Sequence, residues 1–493
     1  MKNSEKEKKK LVTRPPIVVV LGHVNHGKTT LLDYIRKTKV AEKEAGSITQ
    51  HIGAYEIEFQ GQKITFIDTP GHEAFSKIRS RGAKAADIAI LVIAADESVK
   101  PQTLESWEHI KQAGIPFIIA LTKIDKPEAN PEKVKKDLAD KGILVEGWGG
   151  DVPWVKVSAK TGEGIEDLLE MILLVAEMEE LRADIKKPAS GIVIESHLDP
   201  RRGHTASLII QEGTLRRGDK IKAGKVTGKV KILEDFSGRA ISEATVSAPV
   251  RVIGFTDLPQ VGELFFCGEF SPDVSSEGRS KDFSQEIGDS KSSLIIPTII
   301  KVDVYSSLEA LLTIMESLAK EKKCLFKIIR GKVGDLSEED LKLRAPHNTL
   351  VVLFRVKKKP ETKNILLRNP DIIIVEGEVI YELQDKIEEV IEKYFVSPVL
   401  EKVRGKLEVI ALFNPIKGQQ LVGGKVLQGS VAVKNKVKII RADKEIGEGK
   451  IVNLQSQKVD VKEVKEGQEC GVLLESPVKI EQGDFIVAVE RQK

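Results

Sequence analysis

The run Gly22-His23-Val24-Asn25-His26-Gly27-Lys28-Thr29, continued by Thr30, fits the phosphate-binding loop pattern in full. Backbone N–H groups at such a helix start form a nest for anions, and the glycines let the backbone approach phosphates closely. Lys28 is expected to reach the β- and γ-phosphates of a nucleotide, and Thr29 to place its hydroxyl on Mg²⁺. A second run, Asp68-Thr69-Pro70-Gly71-His72, closes a strand-like stretch. A carboxylate at a strand's C-terminal end suits a water-mediated Mg²⁺ contact. Gly71 would offer its N–H to the γ-phosphate and lose that contact after hydrolysis. His72 directly behind it would order the attacking water, because phosphoryl transfer needs mainly positioning and charge neutralisation.

Two further runs read the base. In Thr122-Lys123-Ile124-Asp125 the carboxylate of Asp125 can accept from guanine N1 and N2, while Lys123 packs its stem on the ring. In Ser158-Ala159-Lys160 a backbone N–H can meet guanine O6. Adenine would leave the carboxylate unpaired, so the site should discriminate strongly. Each short run alone is a weak signal. All four in order, each at a strand end, point to GTP as substrate with Mg²⁺ as cofactor.

These residues need a frame. Residues 1–14 read as a disordered basic tail. Over 15–184, apolar runs (Ile17–Leu21, Ile64–Ile67, Ile88–Ile93, Phe117–Leu121, Val155–Val157) alternate with amphipathic stretches (Thr29–Arg36, Gln102–Lys111, Pro131–Lys141, Ile165–Leu181). That alternation implies a mainly parallel sheet with helices on both faces, and Gln60-Gly61 suggests one hairpin. Residues 188–270 switch to short strands between Gly and polar turns, as a β-barrel does. The pattern returns at 405–493, where Leu427-Gln428-Gly429-Ser430-Val431 resembles Gln211-Glu212-Gly213-Thr214-Leu215. Two copies of one barrel are therefore expected. The segment 271–293, rich in Ser, Asp and Gly, reads as a linker. Residues 294–398 alternate strand and helix as a small α/β sandwich domain. The fold class is thus multidomain α/β and β: a P-loop GTPase domain, a β-barrel, a small α/β domain and a second β-barrel.

Composition bounds the rest. The chain has 493 residues, 41% hydrophobic and 31% charged, a soluble globular balance. A net charge of +3 gives no argument for a nucleic-acid partner. Local cations (Arg79, Arg81, Lys84, Arg201, Arg202, Arg216, Arg217) are the candidates for touching RNA. Cys267, Cys324 and Cys470 are isolated and lack metal-ligand spacing, which argues against disulfides and zinc. No membrane-spanning run is present in the sequence, and the chain is read as cytoplasmic.

The runs Gly22–Leu32, Asp68–Phe75 and Val157–Leu168, together with Ser47-Ile48-Thr49-Gln50-His51-Ile52-Gly53-Ala54-Tyr55, Ile192–Asp199, Lys301–Leu311, Val333–Leu341 and Val461–Gly471, resemble bacterial-type translation initiation factor 2, a translational GTPase family. The likeness covers nearly everything after residue 14, without the family's long N-terminal extension. It implies that Thr49 joins Mg²⁺ in the GTP state and that His72 is catalytic once ribosomal RNA engages it. It implies that the last barrel, through Lys458, Glu469, Cys470 and Gly471, binds formylated initiator tRNA. Implied partners are both ribosomal subunits and other initiation factors, with the chain a monomer. The implied action is GTP-dependent tRNA binding and subunit joining.

This sequence departs from the family at four places. Asn25 replaces an Asp, and its oxygen can touch a monovalent cation near the phosphates. Thr122 replaces the Asn of the guanine motif, so weaker nucleotide binding is expected. Ser47 replaces a glycine that gives its loop freedom. Gln455-Ser456-Gln457-Lys458 stands where a basic and aromatic run is usual, with Gly423 near a usual cysteine. Basic groups hold phosphates and aromatics stack on bases, so a scaffold with weakened tRNA recognition is the alternative reading. An elongation or back-translocation factor is a third, opposed by the middle α/β domain and Ile48–Tyr55.

Overall fold

A computed structural model describes residues 11–38, 52–199, 201–270, 283–289, 292, 294–345, 348–395, 401–413, 419–441, 444–456 and 459–491. It divides into two compact units, Met1–Val390 and Ile391–Lys493.

The first unit opens on a nucleotide-binding sheet. Its strands are β1 (Ile17–Gly22), β2 (Gly53–Phe59), β3 (Gln62–Asp68), β4 (Ile88–Ala94), β5 (Phe117–Thr122) and β6 (Trp154–Lys156), in the spatial order β2-β3-β1-β4-β5-β6. Every pairing is parallel except the β2–β3 hairpin, which turns at Gln60 and Gly61. β1 and β4 are buried along their whole length, as continuous apolar runs covered on both faces must be. Helices α1 (Lys28–Arg36), α2 (Ser76–Ala85), α3 (Pro101–Ala113), α4 (Pro131–Ala139) and α5 (Ile165–Met178) connect them. One core joins Leu31 and Leu32 of α1 and Ile165, Leu168 and Ile172 of α5 to Val18, Phe66, Ile90 and Ile118 of the sheet. Helix α2 has no counterpart among the amphipathic stretches read from sequence.

Residues 11–14 of the expected tail are ordered, which is a correction, and residues 1–10 lie outside the described residues. Val12–Thr13 pairs with Arg182–Ala183, and both guanidinium arms of Arg14 bond Asp87, at 2.6 and 2.7 Å. A charge-assisted fork is enough to order a basic stretch.

A closed barrel follows, from β7 (Ser190–Asp199), β8 (Gly203–Glu212), β9 (Lys220–Ala223), β10 (Val226–Asp235), β11 (Pro249–Phe255) and β12 (Leu264–Cys267). Around the ring the order is β7-β12-β9-β10-β11-β8. A five-stranded sheet then runs β13-β15-β14-β16-β17, formed by Phe283–Gly288, Leu325–Val333, Ile295–Val302, Thr349–Phe354 and Ile372–Gly377 respectively. Helices α6 (Tyr305–Lys322), α7 (Glu338–Lys342), α8 (Lys363–Arg368) and α9 (Ile380–Val390) accompany it. Strand β13 lies inside the segment read as a linker, which is a correction. It is an antiparallel edge strand whose Ile287 is buried opposite Phe326. Its Ser284, Gln285 and Glu286 are all exposed beside an irregularity in the pairing, so no apolar alternation marks the strand in the sequence.

The second unit is another barrel: β18 (Glu401–Leu412), β19 (Gln420–Ala432), β20 (Lys436–Arg441), β21 (Lys444–Ser456), β22 (Glu469–Glu475) and β23 (Phe485–Arg491). With β18 paired to both β19 and β23, the ring reads β18-β23-β20-β21-β22-β19. That is the first barrel's order strand for strand. The shared Gly213 and Gly429 turn at positive φ, where a Cβ would collide with the carbonyls of Pro188 and Arg404. Among the described residues, no helix is long and apolar enough to cross a membrane.

Candidate nucleotide site

Strand β1 ends at Gly22, where a Cβ would stand 2.4 Å from the Val92 carbonyl oxygen of the neighbouring strand. The chain then turns through Asn25 and Gly27, both at positive φ, into α1. Lys28 folds back, and its Nζ donates to the carbonyls of Gly22 at 2.9 Å and His23 at 2.7 Å. Burial pulls the Lys28 ammonium down to about 7, against the opposing charge of Asp68. A glycine loop that opens a helix beside a buried lysine is the arrangement anion sites use.

The four sequence runs meet around one cavity of about 350 Å³. Val24, Asn25, Gly27, Lys28, Thr29, Thr30, Gly71, His72, Thr122, Lys123, Asp125, Ala159 and Lys160, all singled out from the sequence, line it. Gly71 packs so closely that a Cβ there would stand 2.5 Å from Lys28 Nζ and 3.0 Å from Val24 N. His72 Nδ1 accepts from Ala74 N at 3.2 Å, and burial lowers the ring's pKa. At the far end Ser158 Oγ donates to Asp125 Oδ1 at 2.7 Å, which holds that carboxyl below its usual range.

Other predicted residues stand behind this lining. Gly22 and His23 supply the carbonyls that hold Lys28. His26 is fully buried, its ring taken down to about 4 by burial. Its carbonyl accepts from Thr122 Oγ1 at 2.6 Å, so the departure from the family's Asn still ties β5 to the loop. Ser158 is buried beneath Asp125. Asp68, at the end of β3, is 5% exposed, and its charge acts on Lys28. The Thr29 hydroxyl and the Asp68 carboxylate are hard oxygen donors, the set Mg²⁺ takes. Thr49, Ser47, Gln457 and Lys458 lie outside the described residues.

The sequence reading missed two contributors. Lys126 lines the cavity and pairs with Asp96 at 2.5 Å. Gln102 Oε1 accepts from Val24 N at 3.1 Å, holding the loop from α3. The adjacency of Lys126 to Asp125 was the one available signal for the first. His23, His26 and Glu97 offer ligand atoms within 4.8 Å of one another. However, Glu97 is engaged by Lys123 at 3.0 Å, and the charges of Lys28 and Lys100 bear on His23, surroundings that repel a divalent cation.

One expectation is overturned. Arg79, counted among surface cations for RNA, is 0% exposed, with its guanidinium turned inward onto Glu105 and the His72 loop. Arg81 is ion-paired to Glu309 of α6, and Arg202 and Arg216 pair with Glu234 and Glu243.

Comparisons with known proteins follow the same layout. Residues 13–178 match the elongation factor Tu GTP binding domain, 188–267 elongation factor G domain 2, and 274–388 translation-initiation factor 2. Translation initiation factor IF-2 of Rubrobacter xylanophilus is 40% identical over 97% of this chain and 71% of that protein. The chain belongs to the translation initiation factor IF-2 family. Family members from Thermodesulfovibrio yellowstonii and Anoxybacillus flavithermus are 43% and 42% identical, over 65% and 69% of their own lengths. The chain spans between about half and seven tenths of the IF-2 relatives it matches. The crystal structure of GDP-bound aIF5B from Aeropyrum pernix is 27% identical over 97% of this chain and 92% of that one. Its TM-score of 0.49 is too loose for residue-level comparison.

Proposed function

We propose that this chain is a ribosome-stimulated GTPase of translation initiation, acting in the cytoplasm as a monomer. In this role it promotes formylated initiator tRNA binding to the small subunit and the joining of the large one. The observation that carries it is the convergence of Lys28, Gly71, His72 and Asp125 on one cavity. The loop N–H groups and Lys28 hold the phosphates, Asp125 and Lys123 hold guanine, and Ala159 and Lys160 close the base pocket. Thr29, Thr49 and, through water, Asp68 would hold Mg²⁺, which neutralises phosphate charge when bound. Asn25, on the cavity wall, offers an oxygen to a monovalent cation. Because His72 Nδ1 accepts a backbone N–H, its neutral ring carries the proton on Nε2. That nitrogen acts as a donor, fixing the attacking water or a phosphate oxygen.

Glu469, Cys470 and Gly471 support the tRNA assignment. They line a cavity of about 470 Å³ in the second unit, with Ile410, Ala411, Phe413, Leu421, Gly423, Gly424 and Gln455. Burial keeps the Cys470 thiol neutral, its pKa pushed up to about 11. Apolar walls with a glycine floor suit a flexible thioether side chain such as formylmethionine. One observation favours the scaffold alternative. Gln455 spends its amide on Asp460 at 2.7 Å, and neither it nor Ser456 brings positive charge to an RNA backbone. Filter binding of formylated and unformylated initiator tRNA decides between them: clear preference for the formylated form supports the first, equal and negligible binding the second. Light scattering with purified subunits tests joining, and absence of GTP-dependent acceleration would remove that role.

A further inference from the structure

Arg79 withdraws a full positive charge from solvent on an otherwise polar helix. Its Nη2 forks onto Glu105 of α3, with 2.7 Å to each oxygen. Its Nη1 donates to the carbonyls of His72 at 2.6 Å and Pro70 at 3.1 Å. Glu105 is itself held in place: His109 Nε2 lies 3.4 Å from it and 3.1 Å from Ser76 Oγ. Burial alone would push the Glu105 carboxyl up, but His109 and Arg79 hold it at about 2. Burying an ion is costly unless it is paired and hydrogen-bonded; here one arm ends on the Glu105 carboxylate and the other on the backbone of the His72 loop.

Which backbone matters. The Pro70 carbonyl belongs to the same planar peptide unit as the Gly71 N–H, so fixing one aims the other in the opposite direction. Gly71 lines the nucleotide cavity. The His72 carbonyl fixes the next residue's plane, and with it the root of the His72 side chain. One guanidinium thus sets both groups assigned to the terminal phosphate and its water.

We propose that Arg79, anchored by Glu105, is a positioning residue for GTP hydrolysis, acting through the Gly71 N–H and His72. The proposal rests on the reading of His72 as the catalytic histidine. A cation serving stability alone would leave turnover intact in any variant that still folds. A positioning cation would not, because a displacement of about 1 Å at a reacting group costs on the order of a hundredfold in rate.

The test is ribosome-stimulated GTP hydrolysis, with GDP affinity measured beside it, for the wild type, Arg79→Lys, Glu105→Gln, His72→Ala and the His72→Ala/Arg79→Lys double variant. Lysine keeps the charge but cannot fork. Arg79→Lys is expected to lower kcat about a hundredfold and Glu105→Gln about tenfold, with GDP affinity and KM within about twofold of wild type. The double variant should be slower than His72→Ala alone by much less than the Arg79→Lys factor, since the His72 share of the effect is already lost and only the Gly71 share remains. If His72→Ala is slow while Glu105→Gln and Arg79→Lys turn over normally, the positioning role is overturned. Losses that multiply in the double variant overturn action through His72. If His72→Ala itself hydrolyses at the wild-type rate, the reading of His72 fails instead. Should Arg79→Lys fail to bind GDP, Glu105→Gln decides: normal GDP binding with normal kcat overturns the proposal, and normal binding with reduced kcat supports it.

Discussion

The hydroxyl of Thr122 donates to the carbonyl oxygen of His26 at 2.6 Å, stitching the end of β5 to the phosphate loop. The same side chain lines the cavity, so one residue joins the halves proposed to read the base and to hold the phosphates. Thr122→Val keeps the shape and deletes the bond, leaving a buried carbonyl unmet. A buried neutral hydrogen bond contributes about 1 kcal/mol. GDP and GTP should therefore weaken together, by about three- to tenfold, in equilibrium titration. A loss confined to one nucleotide would contradict a shared tether.

Asp125→Asn exchanges one carboxylate acceptor for a donor, facing guanine N1 or N2 with another donor. Affinity should fall for guanine nucleotides by about a hundredfold or more and shift towards xanthine nucleotides, which offer an acceptor there. Competition between GDP and xanthosine diphosphate reads this directly. Retained guanine preference would show that Asp125 is not the reader.

The motif residues were legible because their geometry is local: a glycine loop between a strand and a helix, or a carboxylate at a strand end, needs no tertiary knowledge. The barrel repeat was legible for a similar reason, since Gly213 and Gly429 turn where only glycine fits. Helix α2 was not. Its buried face consists of Ile78, Gly82, Ala83, Ala85 and the aliphatic stem and head of Arg79, too small and too polar to show as an apolar stripe. Gly82 is small because a Cβ would meet Thr69 and Val19 side chains at 3.1 Å. Arg79 read as a surface cation because its partner, Glu105, is 26 residues away on another helix. The ordering of β13 was hidden the same way, by a partner strand distant in sequence.

Gly71→Ala places a methyl against Lys28 Nζ and the Val24 N–H. The lysine head is expected to give way and the Gly71 segment to draw back, which leaves the nest in place and carries the Gly71 N–H away from it. GDP binding should stay within about threefold, while preference for GTP analogues and ribosome-stimulated kcat drop about tenfold or more, the scale of one lost preorganised donor. Measured ratios of GTP-analogue to GDP affinity check it, and an unchanged ratio would mean the Gly71 N–H does not sense the γ-phosphate.

In the middle domain, Asp340 is 1% exposed and bonds Lys301 at 3.1 Å, Arg330 at 3.2 Å and the Ser337 N–H at 2.8 Å. Burial acts to raise its carboxyl, but Lys301 and Ser337 overcome that and depress it below 3.8. Its stabilisation is therefore complete above the unfolded value and is lost as pH falls through the folded one. Asp340→Asn, which removes the carboxylate charge opposite buried Lys301, should cost about 3–5 kcal/mol at pH 7. The gap between variant and wild type in urea titrations should close below about pH 4. A gap of constant size across that range would contradict the ion-pair account.

The proposed function requires guanosine triphosphate to occupy the cavity between Lys28 and Asp125. Calorimetric titration of the chain with a non-hydrolysable GTP analogue in Mg²⁺, repeated with the matching ATP analogue, tests it most directly. One GTP-analogue site, abolished by chelating Mg²⁺ or by Lys28→Ala and untouched by the adenine compound, is the predicted result. Binding of the ATP analogue with equal affinity, or no binding of either, would contradict it.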